Sequence, residues 1–230
     1  MNVNRDKVSL LFGDKLKMGN DKLLKVNEIF YSIQGESTFT GLRCIFIRLT
    51  GCNIGCEWCD TKYAYEEGTE ITVDEIVSAI RMWDCKLVEV TGGEPLLQAN
   101  SIELMQRLIV RGYKVLLETS GIVSISKVPS EVTIIMDIKC PSSGVSDKNY
   151  YDNIGLLKIN DEIKFVIADR MDYEFAKEKV KEIRENGCGS KILFSPVRGR
   201  LELKKLAKWI LDDNLAVRIQ LQLHKYIDMK

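Results

Sequence analysis

Three cysteines lie close together in the stretch GCNIGCEWCDT, where their side chains could bind a metal. Cys52, Cys56 and Cys59 form a C-x3-C-x2-C motif. A structural zinc ion takes four ligands in a closed tetrahedron, and a [4Fe–4S] cluster usually takes four thiolates. Three thiolates on one loop therefore predict a metal centre with one open position, where a substrate or cofactor can bind directly.

The spacing alone leaves two other interpretations open. The centre could be a zinc knuckle or an ordinary iron–sulfur cluster that a distant cysteine completes, and the candidates are Cys44, Cys85, Cys140 and Cys188. Alternatively, the cysteines could be buried free thiols. The apolar patch in the first residues is too short for the core of a secretory signal, so we expect the seven cysteines to serve metal binding or catalysis rather than disulfide bonds.

A second motif, VTGGEP at Val90–Pro95, follows the next predicted strand. Adjacent glycines let the backbone approach a ligand closely, and their amides and carbonyls can bind a small zwitterion. By itself, the motif could simply open a helix with Pro95 at its first position. Its place one βα unit after the cysteine motif makes a ligand site the stronger interpretation.

Together the two motifs resemble the radical S-adenosylmethionine (SAM) superfamily. The resemblance implies that Cys52, Cys56 and Cys59 hold a [4Fe–4S] cluster. In that superfamily the open iron binds the amino and carboxylate groups of SAM. The reduced cluster then cleaves SAM to a 5′-deoxyadenosyl radical, which explains why the motif has three cysteines rather than four.

A longer stretch, Val26–Ala64, resembles the 7-carboxy-7-deazaguanine synthase family along nearly its whole length. The similarity continues through VTGGEPLLQ, LETSG, MDIKCPSSG and QLHKYI, so that it covers about Lys25 to Ile227. This resemblance implies a lyase that converts 6-carboxy-5,6,7,8-tetrahydropterin to 7-carboxy-7-deazaguanine with loss of ammonia, on the path to queuosine and other 7-deazapurines. It also implies SAM used catalytically, a requirement for Mg²⁺, a flavodoxin-like or ferredoxin-like reductant and a homodimer.

The family resemblance also assigns site residues. Thr61 is the expected Mg²⁺ ligand. The expected SAM contacts are Trp58, Cys59, Asp60, Gly93, Glu118, Ser120, Asp137 and Lys139. The expected substrate contacts are Ile33, Gln34, Gly35, Arg48, Thr91 and His224. Of these, Arg48 would bind the substrate carboxylate, because a guanidinium can form a bidentate fork with a carboxylate.

Several of these residues also have an ordinary structural interpretation. Arg48 could be a solvated strand charge, and Thr61 a turn threonine with a local backbone hydrogen bond. Trp58 could pack the cysteine loop, and a single histidine such as His224 is more often structural. Ser37 stands where a glycine is common in the family. This difference puts in question the geometry of the neighbouring residues Ile33–Gly35, which we call the substrate loop.

The segments that must position these residues are predicted to alternate between strands and helices. Helices are predicted after the T-x-x-E capping box at Thr72, over Met105–Val110, in DYEFAKEKVKEIRENG and in LELKKLAKWILDD. Predicted strands are Cys44–Leu49, Lys86–Thr91, Lys114–Glu118, Val132–Ile138, Ile163–Ile167, Lys191–Phe194 and Val217–Leu223. This alternation predicts an α/β fold with a parallel sheet, and two irregular segments indicate a partial, incomplete TIM-like barrel. We expect residues 1–24 to be an N-terminal extension and residues 25–230 to be the radical SAM domain.

The composition of the chain limits which partners and which location we expect for the protein. The 230 residues carry 33 basic and 33 acidic side chains, so no net charge points to nucleic acid or an anionic membrane. No apolar run is long enough for a membrane span, and we expect a cytoplasmic protein. Two alternatives to the synthase are a radical SAM activating enzyme that acts on a protein partner and a non-enzymatic iron–sulfur or zinc protein.

Overall fold

A mixed nine-stranded sheet forms the centre of the computed structural model, which describes residues 22–230. Its spatial order is β3-β1-β2-β4-β5-β6-β7-β8-β9. The strands are β1 (Leu23–Ile33), β2 (Arg43–Leu49), β3 (Thr69–Thr72), β4 (Leu87–Gly92), β5 (Lys114–Thr119), β6 (Thr133–Ile138), β7 (Glu162–Ile167), β8 (Lys191–Pro196) and β9 (Arg218–Ile219). Strands β2 and β4 to β9 run parallel, and β1 joins β2 and β3 antiparallel.

Helices connect several of the parallel strands. They are α1 (Val73–Ala79), α2 (Asn100–Val110), α3 (Arg170–Glu185), α4 (Leu203–Asp212) and α5 (Leu223–Tyr226). The connections from β5 to β6 and from β6 to β7 are irregular or contain short 3₁₀ turns. The sheet ends at β3 on one side and β9 on the other and does not close, which confirms the predicted incomplete barrel.

The strands form where the sequence has short apolar runs, because most are covered on both faces. Every residue of β4 is buried, and the middle of β2 is buried as well. Parallel sheets are usually covered in this way, which explains the near-continuous apolar sequence. The predicted capping box is also present: Thr72 accepts a hydrogen bond from Glu75 N, and the Glu75 side chain accepts one from Thr72 N.

One predicted strand, Val217–Leu223, was largely wrong. Only Arg218–Ile219 pairs with β8, and the chain then leaves the sheet. Gln220 Oε1 accepts a hydrogen bond from Ser37 N, and Gln222 Nε2 donates one to Glu36. These side-chain contacts replace the strand pairing that the alternating pattern predicted.

Two strands, β1 and β3, were not among the predicted strands. They lie beside β2 as an antiparallel addition to the parallel sheet. Strand β1 includes Leu23 and Leu24 of the expected N-terminal extension, whereas residues 1–21 of that extension lie outside the described residues.

Within residues 22–230, no helix has the length and apolarity needed to cross a membrane.

The carboxyl ends of the parallel strands meet at one edge of the sheet. Leu49 ends β2, Gly92 ends β4, Thr119 ends β5 and Ile138 ends β6. In barrel-like α/β folds, side chains that bind ligands project from this edge.

Candidate active site

An open cavity of about 370 Å³ lies at the carboxyl edge of the sheet. Its wall includes every residue that the sequence analysis assigned to the cluster, Mg²⁺, SAM or substrate. These are Ile33, Gln34, Gly35, Arg48, Cys52, Cys56, Trp58, Cys59, Asp60, Thr61, Thr91, Gly93, Glu118, Ser120, Asp137, Lys139 and His224. The fold thus gathers residues from most of the chain into one site.

The loop that carries the three cysteines is held by backbone contacts from several directions. Gly51 N donates a hydrogen bond of 2.9 Å to Ala64 O, and Glu57 N donates one of 3.1 Å to Ser143 O. The Lys148 ammonium donates to Ile54 O at 2.8 Å. The thiols are free and half-buried, so the loop presents them to the cavity in a supported conformation.

Gly93 packs directly beneath the cysteine loop. A Cβ atom at this position would lie 2.2 Å from Gly51 O and 2.7 Å from Cys52 Cβ, so only glycine fits. Glu94 N also donates a hydrogen bond of 2.8 Å to Gly51 O. The turn after β4 and the cysteine loop therefore form one unit.

Glu94 connects this turn to the end of β5. Its carboxylate is fully buried and accepts hydrogen bonds from Leu96 N at 3.0 Å, Thr119 Oγ1 at 2.9 Å and Ser120 N at 2.7 Å. The Ser120 hydroxyl also donates to Glu94. Ser120, an expected SAM contact, thus has a structural partner as well as a place on the cavity wall.

Cys140 alone, among the four distant cysteines, belongs to the cavity wall that residues 22–230 form. It is 1% exposed, and burial raises the pKa of its thiol well above the usual value. The thiol of Cys140 is thus buried, whereas the three thiols of the cysteine loop are half-buried.

Arg48 is largely enclosed by polar and aromatic side chains. It donates through Nε to Glu28 Oε1 at 2.9 Å, and its guanidinium lies 5.9 Å from the ring centres of Phe30 and Tyr63. Glu28 also accepts from Tyr63 Oη at 3.1 Å and from the Lys230 ammonium. The side chain is 14% exposed, so it is not a solvated strand charge.

The segment after β1 is held in place by its own polar side chains. Gln34 Nε2 donates to Glu89, and Gln34 Oε1 accepts from Glu36 N at 3.0 Å. Burial raises the pKa of the Glu89 carboxyl well above its usual value, which favours the neutral acid beside this amide. Ser37 has a φ of +62°, in the left-handed region, as the common glycine suggested. Its hydroxyl accepts from Phe39 N at 3.1 Å, which offsets part of the strain.

His224 and Thr61 are far apart in the sequence, and both line this cavity. A Cβ atom at Gly35 would lie 2.0 Å from His224 Nδ1, so the imidazole packs directly against Gly35. Burial lowers the pKa of His224, which favours the neutral ring at neutral pH. The Thr61 hydroxyl lies 3.5 Å from Cys59 Sγ and does not cap the 3₁₀ turn that follows it.

Trp58 and Asp60 flank the last cysteine of the motif. The guanidinium of Arg200 lies 5.2 Å from the Trp58 ring centre. Asp60 accepts a hydrogen bond of 2.7 Å from the Lys225 ammonium, which lowers the pKa of that carboxyl although burial alone would raise it. These contacts fix both side chains at the cavity rim.

Lys164 is the main charged residue that the sequence analysis did not identify. It lies on β7, is 5% exposed and lines the cavity among acidic side chains. Burial alone would lower the pKa of its ammonium, but Asp137, Glu118 and Glu36 raise it well above the usual value. The only signal in the sequence is a lysine inside the apolar run EIKFVI.

Comparisons with known proteins identify the family. The model of the radical SAM superfamily matches residues 46–210. Curated relatives named 7-carboxy-7-deazaguanine synthase include one from Chlorobaculum tepidum, 48% identical over 91% of this chain and 96% of the relative. Another, from Koribacter versatilis, is 44% identical over 89% of this chain and 96% of the relative. The chain belongs to the 7-carboxy-7-deazaguanine synthase family of radical SAM enzymes.

A solved structure supports the fold of this radical SAM family member. QueE from Escherichia coli matches with a TM-score of 0.74, covering 88% of this chain and 95% of that chain at 23% identity. The match agrees with an incomplete barrel of mostly parallel strands.

The cofactors of this radical SAM enzyme are a [4Fe–4S] cluster and SAM, and the cavity suits both. Within residues 22–230, no three Cys, His, Asp or Glu side chains are arranged to hold a single metal ion. A four-iron cluster places its thiolates on separate irons, so they need not meet at one point. The three free thiols on one supported loop fit that group, and any residue larger than glycine at position 93 would displace this loop.

Proposed function

We propose that this chain converts 6-carboxy-5,6,7,8-tetrahydropterin to 7-carboxy-7-deazaguanine with loss of ammonia, a step in queuosine and 7-deazapurine biosynthesis. The convergence of the cysteine loop, the Gly93 turn and Arg48 on one cavity carries this proposal. The family relationship supports the substrate, since relatives with this name match nearly their whole length.

Cys52, Cys56 and Cys59 would hold the cluster, and the backbone at Gly93 would lie beside the methionyl group of SAM. When bound and reduced, these cofactors supply a carbon radical that removes a hydrogen atom from the substrate. Trp58, Asp60, Glu118, Ser120, Asp137 and Lys139 would contact SAM, because they surround the same space. The protein's own task is to hold the reacting carbon of the substrate beside that radical.

Arg48 would bind the substrate carboxylate. The cations of Arg48 and Lys230 both contact Glu28, so two basic side chains face one carboxylate there. A substrate carboxylate would therefore meet a basic environment. Thr61 would contribute a hydroxyl to Mg²⁺, which prefers oxygen ligands and keeps several waters or substrate oxygens.

Ile33, Gln34 and Gly35 would read the edge of the pterin, partly through backbone groups. Thr91 and His224 would contact the same ligand from β4 and α5. The fixed amide of Gln34 and the packing of His224 on Gly35 support this assignment, because both restrict the loop to one conformation.

The proposed enzyme would also need a reductant and a second copy of the chain. A flavodoxin-like or ferredoxin-like protein would reduce the cluster, and two copies of the chain would form a homodimer. The reaction would take place in the cytoplasm, without nucleic acid or membrane as a partner.

An anaerobic assay with SAM, Mg²⁺, dithionite and 6-carboxytetrahydropterin tests the function, with products followed by mass. We expect 7-carboxy-7-deazaguanine without net consumption of SAM. Cys56→Ala should lose cluster iron and activity, whereas Cys188→Ala, outside the cavity wall, should retain both. SAM cleavage without a deazapurine would reject this substrate, and an intact cluster without SAM cleavage would reject the enzyme assignment.

A further inference from the structure

Lys164 is a buried lysine at the centre of three partly buried carboxylates, and we call these four residues the Lys164 cluster. Its ammonium lies 3.1 Å from Glu36 Oε2 and 3.3 Å from Asp137 Oδ1, and it donates directly to Glu118. The three carboxylates come from the loop after β1 and from strands β5 and β6. One side chain on β7 thus connects three separate parts of the cavity wall.

Each carboxylate of the Lys164 cluster has a further polar contact. Glu36 accepts hydrogen bonds of 2.9 Å from Gln220 and Gln222, and Glu118 accepts one of 3.3 Å from Thr91. Asp137 pairs with Lys139. These contacts orient the carboxylates, but only Lys164 contacts all three. Without Lys164, three partly buried carboxylates would repel one another and move apart.

The location of the Lys164 cluster relates it to the chemistry. Glu36 directly follows the Ile33–Gly35 substrate loop, whereas Glu118 and Asp137 are proposed to contact SAM. The distance between substrate and SAM is what determines whether a hydrogen atom is transferred, because reacting atoms must lie in near-contact geometry. A rigid connection between the two sides of the cavity would set that distance.

We propose that Lys164 is a positioning residue that holds the substrate loop in register with the SAM side of the cavity. This inference rests on the proposed function. Lys164 acts through Glu36, Glu118 and Asp137: its ammonium donates hydrogen bonds to Glu36 and Glu118 and forms an ion pair with Asp137.

Lys164→Met tests the proposal, since methionine is similar in length and has no charge. We expect kcat/KM for the pterin to fall about 100-fold, as misplaced reactants lose rate to that extent. SAM cleaved per deazapurine formed should rise several-fold, because the radical forms without a correctly placed substrate. Calorimetry with the unreduced protein should show weaker pterin binding.

Lys158→Met is the matched control. Lys158 pairs at 2.8 Å with Asp161, whose carboxylate is fully buried, but neither residue lines the cavity. This variant should lose stability and keep the wild-type ratio of SAM cleaved to product formed. If Lys164→Met keeps kcat/KM within about threefold of wild type, a difference well under 1.4 kcal/mol, the positioning role is wrong. It is equally wrong if both variants lose activity in proportion to stability.

Glu36→Gln provides a second test if Lys164→Met does not fold. It removes the negative charge that Lys164 pairs with on the substrate side and leaves Glu118 and Asp137 in place, so pterin affinity should fall while SAM affinity remains. The double variant should be no worse than Lys164→Met, because both changes break the same connection. Additive losses, or unchanged pterin affinity in Glu36→Gln, would overturn the proposal. Failure of the wild-type chain to form the deazapurine would instead reject the proposed function.

Discussion

The side chain of Arg48 is held in one conformation by its neighbours. The strand places it at the carboxyl edge of the sheet, Glu28 fixes Nε, and two aromatic rings flank the guanidinium. Fixing the group before binding reduces the entropy that the substrate must offset on association. Arg48 is thus held in place before it meets the substrate carboxylate that we propose it binds.

Arg48→Lys should raise KM for the pterin about 10- to 100-fold, because a lysine keeps the charge but cannot form the bidentate fork. KM for SAM should stay near the wild-type value. Steady-state kinetics on the reconstituted enzyme measure both constants. Arg107→Lys, an exposed arginine that pairs with Glu103 and Asp74 away from the cavity, is the matched control. An equal change in both KM values would contradict a specific role for Arg48.

The turn after β4 is the element on which the site geometry depends most. It carries Gly93 beneath the cysteine loop, and Glu94 fastens it to the end of β5. A change in this turn would therefore move the cysteine loop and the end of β5 together.

Glu94→Gln should reduce the free energy of unfolding by about 2 kcal/mol, because the amide nitrogen would face buried donors that need an acceptor. SAM affinity should fall as well. Thr72→Ala, which removes the capping box of α1 away from the cavity, should cost about 1 kcal/mol and leave SAM affinity unchanged. Urea unfolding and calorimetry measure the two quantities. Retained SAM affinity in Glu94→Gln would show that the turn does not position SAM.

The elements differ in how far the sequence predicts them. Central parallel strands such as β4 and β6 are predicted well, because burial on both faces leaves an apolar run between turn residues. Helices α1 and α3 are predicted by their caps, the Thr72 box and Gly187, which has a φ of +78°. Strand β9 is short because tertiary hydrogen bonds from glutamines outweigh the alternating pattern.

The residues of the candidate site also differ in how well the sequence predicts them. Motif residues such as Cys52 and Gly93 are recognised from sequence because neighbouring residues define their geometry. The Lys164 cluster was missed because Glu36, Glu118, Asp137 and Lys164 are far apart in the chain and meet only through the parallel order of the strands. An isolated lysine within an apolar strand gives no indication of its partners.

For the whole molecule, the cavity lies where an open barrel meets the C-terminal segment. Residues 222–230 lie across the cavity, and none of them is buried. Lys225 pairs with Asp60, Lys230 pairs with Glu28 and His224 packs on Gly35. This segment covers the site without forming part of the core.

Removing residues 222–230 should raise KM for the pterin about tenfold, since charged hydrogen bonds around the cavity are lost. The melting temperature should fall by less than about 4 °C, the shift that about 1 kcal/mol causes in a chain of this size. Kinetics and thermal unfolding measure the two effects. Ile227→Ala, in the same segment but outside the cavity wall, should change neither. A large loss of melting temperature would mean that the segment belongs to the core.

The hydrogen bonds that support the cysteine loop have a consequence for the order of events during protein synthesis. Lys148 donates to Ile54 O across 94 residues of sequence, and Ser143 accepts from Glu57 N. On the ribosome, Cys52, Cys56 and Cys59 therefore emerge long before the residues that support their loop. Iron delivered before then would find three unsupported thiols, so we expect productive cluster insertion to wait until Ser143 and Lys148 have been made and have folded against the loop.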